Sequence, residues 1–392
     1  MSAQSAVVSP SRPGLRIGML STYPPTVCGL ATFSSALEQE LKYLGHSVDI
    51  IRVDDGSVDP RGDRTVAGVL RSGSRHSIRE ATATLSRLDV AIVQHEYGIY
   101  GGPDGEDVVD VLKALRVPAV VVLHTVPAQP SGHQAELLIE ICDLASTVVV
   151  MTESARERLT RTYFPIDEAK VVTIPHGALV SNMGNRTATP HDTPRGQLLT
   201  WGLLGPSKGV EHAIDAVALL KQRGHGVRYT VAGVTHPKVR LRDGDRYRNS
   251  LIERAQELGV EHDVTFDGTY RGVMRMTRFI ASSSMVILPY ESVDQVTSGV
   301  LVDSIAAGRP VIATAFPHAE ELLASGAGIV VPHRDPVALA DAIQRATTDP
   351  QLLRSMTAEA RRLAPSLSWH AVAMRYSAEC ASLVRAQDRV SV

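Results

Sequence analysis

Residues 284–314 read SMVILPYESVDQVTSGVLVDSIAAGRPVIAT, and this one stretch holds a complete structural unit. Met285–Pro289 and Pro310–Thr314 are short apolar runs without polar alternation, the pattern of strands covered on both faces. Between them, Thr297, Ser298 and Gly299 are suited to open a helix, and Gly308 ends it just before Pro310. Strand, helix and strand in so short a span is the repeating unit of a parallel sheet.

Outward from this unit the same alternation continues in both directions. In the first half the apolar runs are Arg16–Leu20, Ser47–Val53, Asp89–His95, Ala119–His124, Thr147–Met151 and Val171–Ile174. In the second they are Leu198–Leu204, Arg228–Val234, Val264–Phe266, Met285–Pro289, Pro310–Thr314 and Gly328–Pro332. The intervening segments carry helical spacing. Leu30, Phe33, Leu37, Leu41 and Leu44 end at Gly45, and Val210, Ile214, Val217 and Leu220 end at Gly224. Asp335-Pro336 opens Val337–Ala346, and Trp369–Val384 is helical. Ser181–Gly196, rich in Asn, Thr, Pro and Gly, has no periodic apolar residues and divides the two alternations. The expected organisation is α/β throughout, with domains at 1–190 and 191–365 and a C-terminal helical segment at 366–392.

Composition narrows the function classes. The chain has 392 residues, 44% apolar and 21% charged, enough to bury a large core. Forty basic residues against 42 acidic ones give a net charge of −2, and aromatics are 4%, so no global field or stacking surface points to nucleic acid. Cys28, Cys142 and Cys380 are widely spaced and odd in number, against a disulfide framework or cysteine zinc site. Met1–Gly14 has no apolar h-region, and no apolar run reaches the roughly 18 residues of a membrane span. Several arginines in Arg64–Arg79 read as a solvated face rather than a membrane-docking helix. A soluble, cytoplasmic protein is expected.

Ligands of open α/β sheets bind beyond the carboxyl ends of strands, which directs attention to the strand exits. The first exit, Ser21–Phe33, contains Gly29 ahead of a helix start but lacks both G-x-G-x-x-G and a Walker lysine. His95-Glu96-Tyr97, His124 and His176 stand at three further exits, with spacings that make no metal motif. Taken alone, a histidine such as His124 reads more often as structural than as functional, while three such exits together point to a polar cleft. Gly202–Gly209 offers backbone at Gly205 and a charge at Lys208 for an anion, or a capped turn with a solvated lysine. Thr297, Ser298 and Gly299 present helix amides suited to phosphate, and Asp303 can accept from a diol such as a ribose. Asp243-Gly244-Asp245 mimics a metal-binding D-x-D but reads as a turn in a polar stretch.

These segments, in this order, resemble family 4 retaining glycosyltransferases of the GT-B fold from about Arg16 to Val384. Ser284–Thr314 matches the family's E-x7-E motif with its G-x-P-V ending, Gly202–Gly209 its G-R-L-x-x-x-K-G, and Ile174–Gly177 its I-P-H-G. The resemblance implies two facing Rossmann-like domains with a cleft between them. It places the donor mainly on the second and the acceptor mainly on the first. It implies that Ser368-Trp369 leads a helix back to the first domain. Carried over, it makes His124, Lys208 and Gln295 catalytic, and Gly29, Gly205, Lys208, His236, Thr297, Ser298, Gly299 and Asp303 donor-binding. His95, Glu96 and Tyr97 are the acceptor-side candidates. No metal or cofactor is expected beyond a nucleotide-sugar co-substrate.

The departures fall within the motifs. Gln295 and Asp303 replace the two glutamates, and Leu203 replaces the arginine before Lys208, which removes a fixed fork of phosphate donors. His236, Lys238 or Arg240 stand where they can compensate. The expected reaction moves a hexose from a nucleoside-diphosphate sugar to a hydroxyl acceptor with retention. A retaining glycoside phosphorylase and an inactive sugar-nucleotide-binding protein are the alternatives. The donor base, the acceptor and the oligomeric state are not legible, although Asp54–Arg75 and Ile99–Glu106 are placed to shape an acceptor site.

Overall fold

The computed structural model describes residues 14–26, 28–54, 66–163, 166–180, 196–269 and 271–390. The boundary segment expected at Ser181–Gly196 lies outside them except for Gly196, as do residues 55–65 of the Asp54–Arg75 loop.

The strands are β1 Arg16–Ser21, β2 Ser47–Asp54, β3 Gly68–Arg71, β4 Val90–His95, β5 Ala119–Leu123, β6 Thr147–Val150, β7 Val171–Thr173, β8 Gln197–Trp201, β9 Arg228–Ala232, β10 Val264–Asp267, β11 Met285–Leu288, β12 Val311–Thr314 and β13 Gly328–Val331. They form a seven-stranded sheet ordered β3-β2-β1-β4-β5-β6-β7 and a six-stranded sheet ordered β10-β9-β8-β11-β12-β13. Every pairing in both is parallel. The chain is therefore two Rossmann-like units, and each reverses its strand order once, at β1/β4 and at β8/β11.

The helices are α1 Gly29–Tyr43, α2 Arg75–Leu85, α3 Asp107–Ala114, α4 Gly132–Leu144, α5 Glu153–Thr162, α6 Val210–Gln222 and α7 Pro237–Asp243. They continue as α8 Arg246–Glu257, α9 Val273–Ser282, α10 Gly299–Ala306, α11 Pro317–Leu323, α12 Pro336–Thr348, α13 Pro350–Leu363 and α14 Trp369–Val390. Local chemistry sets their ends. Asp335 caps α12 by accepting from the Ala338 amide at 2.8 Å, and Gly45, Gly224 and Gly308 take positive φ where α1, α6 and α10 stop. No described helix is long and apolar enough to cross a membrane.

Two sequence expectations change. β3 is an additional edge strand, too short and with only Leu70 buried to give a periodic signal. The runs read as Leu198–Leu204 and Arg228–Val234 stop earlier, at Trp201 and Ala232, where Gly202 and Gly233 bring the two backbone segments into close contact. A Cβ on Gly233 would sit 1.8 Å from the Gly202 carbonyl oxygen, so both runs turn into loops there.

α14 packs on the first unit: Trp369, Val372, Ala373, Tyr376 and Cys380 share a core with Ile17, Met19, Phe33, Leu37 and Leu41. Burying each large apolar side chain is worth about 1.5–3 kcal/mol, so this helix is a substantial tie. Gly177 is needed for it, since a Cβ there would meet the Trp369 ring at 2.3 Å. Val296 crosses in the other direction, with 3% exposure inside the apolar core of the first unit.

Candidate active site

Strand-exit loops of the two units meet around the start of α10, where Gly299 reaches His176 and Val296 reaches Thr152. From the first unit, His124 follows β5, where its Nε2–H donates to Gln94 Oε1 at 2.7 Å. Gln94 lies within β4 and is fully buried. The bond puts the proton on Nε2 and leaves Nδ1 as an acceptor. Phe33 of α1 packs edge-on against His124 at 4.9 Å, His176 at 5.1 Å and Trp369 at 4.9 Å. These rings form one apolar-backed wall. Burial, together with His176 and His95, holds the His124 imidazole well below the usual histidine range, so it is neutral at pH 7.

The second unit answers with the start of α10. Ser298 is its N-cap, accepting from the Leu301 amide at 3.3 Å. A Cβ on Gly299 would come within 3.0 Å of His176 Nε2, so glycine lets the helix start meet the first unit's wall. Thr297 Oγ1 is buried and without a partner among the described residues. Gln295 Nε2 donates to the Thr297 carbonyl at 3.0 Å, which shapes the loop before the helix. His124, His176, Gln295 and Thr297–Gly299 are thus brought to one place.

Lys208 stands in the loop after β8, its Nζ 3.8 Å from the centre of the Tyr290 ring. Burial pushes it down to about 8, and no carboxylate pairs with it among the described residues. Gly205 precedes it in extended conformation, and Gly209 follows at φ 57° with Pro289 O where a Cβ would be, 2.1 Å away. His236 donates its amide to the Leu204 carbonyl at 2.8 Å, tying the β9 exit to the Lys208 loop. Asp303, one face along α10, is pushed up to about 7 by burial. An anion and a diol would each relieve one of these two groups.

Gly29 begins α1 with nothing within 4 Å of its Cβ position, so its space is open. Glu96 accepts from Thr125 Oγ1 at 2.5 Å and from the Tyr97 amide at 3.1 Å, holding the β4 and β5 exits together. Tyr97 donates to the Gln134 carbonyl at 3.4 Å. His95 is fully buried, edge-on to Tyr97 at 5.0 Å, with neither ring nitrogen hydrogen-bonded among the described residues. It packs against Tyr97 and lies near enough to His124 to help hold that imidazole neutral.

His318 was not singled out by sequence, although it too follows a strand exit, that of β12. It is 5% exposed, and its Nδ1 accepts from the Ser298 amide at 2.8 Å. Asp243-Gly244-Asp245 is a turn: Gly244 has φ 65°, Asp243 pairs with Arg242 and Asp245 accepts from Thr235. One trio among the described residues, Glu211, His212 and Glu291, has ligand atoms within 4.8 Å of one another. Arg334 pairs with Glu291 and Tyr247 donates to Glu211, so these groups are already a hydrogen-bonded tie between α6 and the β11 loop.

Known proteins resemble this chain in sequence and in fold. Residues 27–179 match the family model for Glycosyltransferase Family 4, and residues 184–363 that for Glycosyl transferases group 1. An exopolysaccharide phosphotransferase of Streptomyces coelicolor is 29% identical over 232 residues, 58% of this chain and 22% of that protein. An alpha-D-kanosaminyltransferase of Streptomyces kanamyceticus is 29% identical over 165 residues, 41% of this chain and 39% of that protein. This chain therefore spans well under half the length of either. Among solved structures, Anabaena HepE in complex with UDP superposes with a TM-score of 0.70 at 17% identity, covering 94% of this chain and 100% of that one. The same protein has been solved with UDP-glucose.

Proposed function

This chain belongs to the group 1 glycosyltransferases of the GT-B fold, and on that premise we propose that it moves a hexose from a nucleoside-diphosphate sugar to a hydroxyl acceptor, retaining the anomeric configuration. The observation that carries the reading is an unneutralised Lys208 together with the start of α10, where Gly299 meets His176 on the wall that His124 shares. Lys208 and the amides of Thr297 and Gly299 stabilise charge on the leaving diphosphate, the main electrostatic demand of the reaction, while the Ser298 amide is already held by His318 Nδ1. Asp303 takes the ribose diol. Gln295 and His124 hold the donor sugar, His124 through its free Nδ1. Gly29 and Gly205 let backbone approach the phosphates, and His236 adds a donor near them.

The acceptor enters from the first unit beside Glu96 and Tyr97, with His95 packed behind. No metal is assigned a step. A neutral His124 suits this chemistry, because its Nδ1 can then accept from a donor-sugar hydroxyl, which an imidazolium cannot. A thermal-shift screen with UDP-, GDP- and ADP-glucose tests the donor assignment, since a ligand raises stability by RT ln(1 + [L]/Kd). A shift with one nucleotide series that Lys208→Ala abolishes supports it. The absence of a shift with all three removes it.

A further inference from the structure

Helix α5 contributes no group to donor or acceptor, yet it holds loops from both units. Its N-cap residue Thr152 is 1% exposed, and its hydroxyl accepts from the Ala155 amide and donates to the Val296 carbonyl, each at 3.0 Å. The first two amides of the helix and the Ser154 hydroxyl all donate to the Glu321 carboxylate of α11, at 2.9, 2.9 and 2.7 Å. Further along, one nitrogen of Arg158 donates to the Val126 carbonyl at 2.9 Å and to the Asp294 carbonyl at 2.8 Å. Val126 comes directly after His124-Thr125, and Asp294 immediately precedes Gln295. Arg158 has no carboxylate partner among the described residues, so carbonyls alone hold it.

We propose that Arg158 is a positioning residue for sugar transfer, and that α5 is the clamp setting the Asp294–Gly299 loop against the His124 loop. The inference rests on the function proposed above. The two N–H bonds of one planar guanidinium nitrogen point in fixed directions, so the two carbonyls they bridge are fixed relative to one another. That fixes His124 relative to Gln295, the two groups assigned to the donor sugar. Thr152 sets the next point of the same loop, at Val296, and Val296 seals it into the core of the first unit. Glu321 is solvent-exposed, so its contribution is the smaller one: a charge at the helix start that favours closure. A loop held from both sides also keeps water from the anomeric carbon.

The test uses whichever of UDP-, GDP- or ADP-glucose the wild type turns over fastest. Arg158→Ala is expected to lower kcat for transfer by about tenfold or more while leaving the Kd of the free nucleoside diphosphate within about twofold. The fraction of donor lost to water should rise. Arg158→Lys keeps the charge but replaces the planar, fixed N–H pair with a freely rotating ammonium, and should remain defective. Thr152→Val should reproduce the defect and Thr152→Ser should restore activity, which keeps the test decisive if Arg158→Ala fails to fold. Unchanged kcat and hydrolysis fraction in the folded variants, or a loss confined to nucleotide Kd, would overturn the proposal. If the wild type turns over no sugar nucleotide, the function reading fails, and the clamp is judged by small-angle X-ray scattering without ligand. Expansion of Arg158→Ala supports it, and a scattering curve identical to wild type overturns it.

Discussion

The Ser298 amide donates to Nδ1 of His318 at 2.8 Å, while the His318 amide donates to the Gln295 carbonyl at 3.3 Å. One residue thereby ties both ends of the loop that precedes α10. Burial and the neighbouring His176 push the His318 imidazole down to about 3, so Nδ1 carries a lone pair and Nε2 the proton. His318→Ala leaves a buried Ser298 N–H unpaired, and donor KM should rise about tenfold, roughly 1.4 kcal/mol. His318→Asn returns an acceptor and should recover most of the loss. Steady-state kinetics of the two variants check this; equal damage from both would count against it.

Nucleotide-sugar affinity should peak between about pH 7 and 8. Asp303 is pushed up to about 7 and must be ionised to accept from a diol, so affinity rises with pH until that point. Lys208, pushed down to about 8, must be protonated to hold a diphosphate, so affinity falls above that point. Calorimetric titration across this range should show both limbs. Asp303→Asn should flatten the acid limb alone and Lys208→Met the alkaline limb alone.

Gln94 governs the state of His124. Gln94→Leu removes the Nε2–H acceptor and should lower kcat by about tenfold or more. Gln94→Glu keeps an acceptor but adds a charge that favours the imidazolium, although His95 and His176 on the other sides oppose it. Its pH–rate profile should gain a limb that falls as pH drops through the raised His124 value. A profile that overlays the wild type would dissociate Gln94 from the reaction.

Two glycines separate structural need from ligand approach. Gly209→Ala places a methyl on the Pro289 carbonyl at φ 57° and should cost about 1–3 kcal/mol, read as a lower thermal midpoint. Gly29→Ala meets nothing within 4 Å, so the midpoint should hold while donor affinity falls. Unchanged affinity in Gly29→Ala would remove Gly29 from the phosphate site.

The strands were legible because a parallel strand is apolar on both faces, and residues 284–314 show the unit entire. β3 was not, since a short edge strand buries little. Strand exits led to His124, Lys208 and the α10 start without any knowledge of how the units face one another. Gln94 stayed hidden because it lies inside a strand and gains meaning only through the β4–β5 register, which sets it opposite Val122 and so near His124. The α5 contacts stayed hidden for a related reason. Arg158 and Asp294 are 136 residues apart, and no local pattern encodes that meeting.

The most direct test of the central claim is release of nucleoside diphosphate from UDP-, GDP- and ADP-glucose with a panel of hydroxyl acceptors, comparing wild type with Lys208→Ala and His124→Ala. Acceptor-dependent release from one donor series by the wild type, lost by at least about a hundredfold in Lys208→Ala and reduced in His124→Ala, is the expected result. Release that is absent with every donor, or that survives intact in Lys208→Ala, would contradict it.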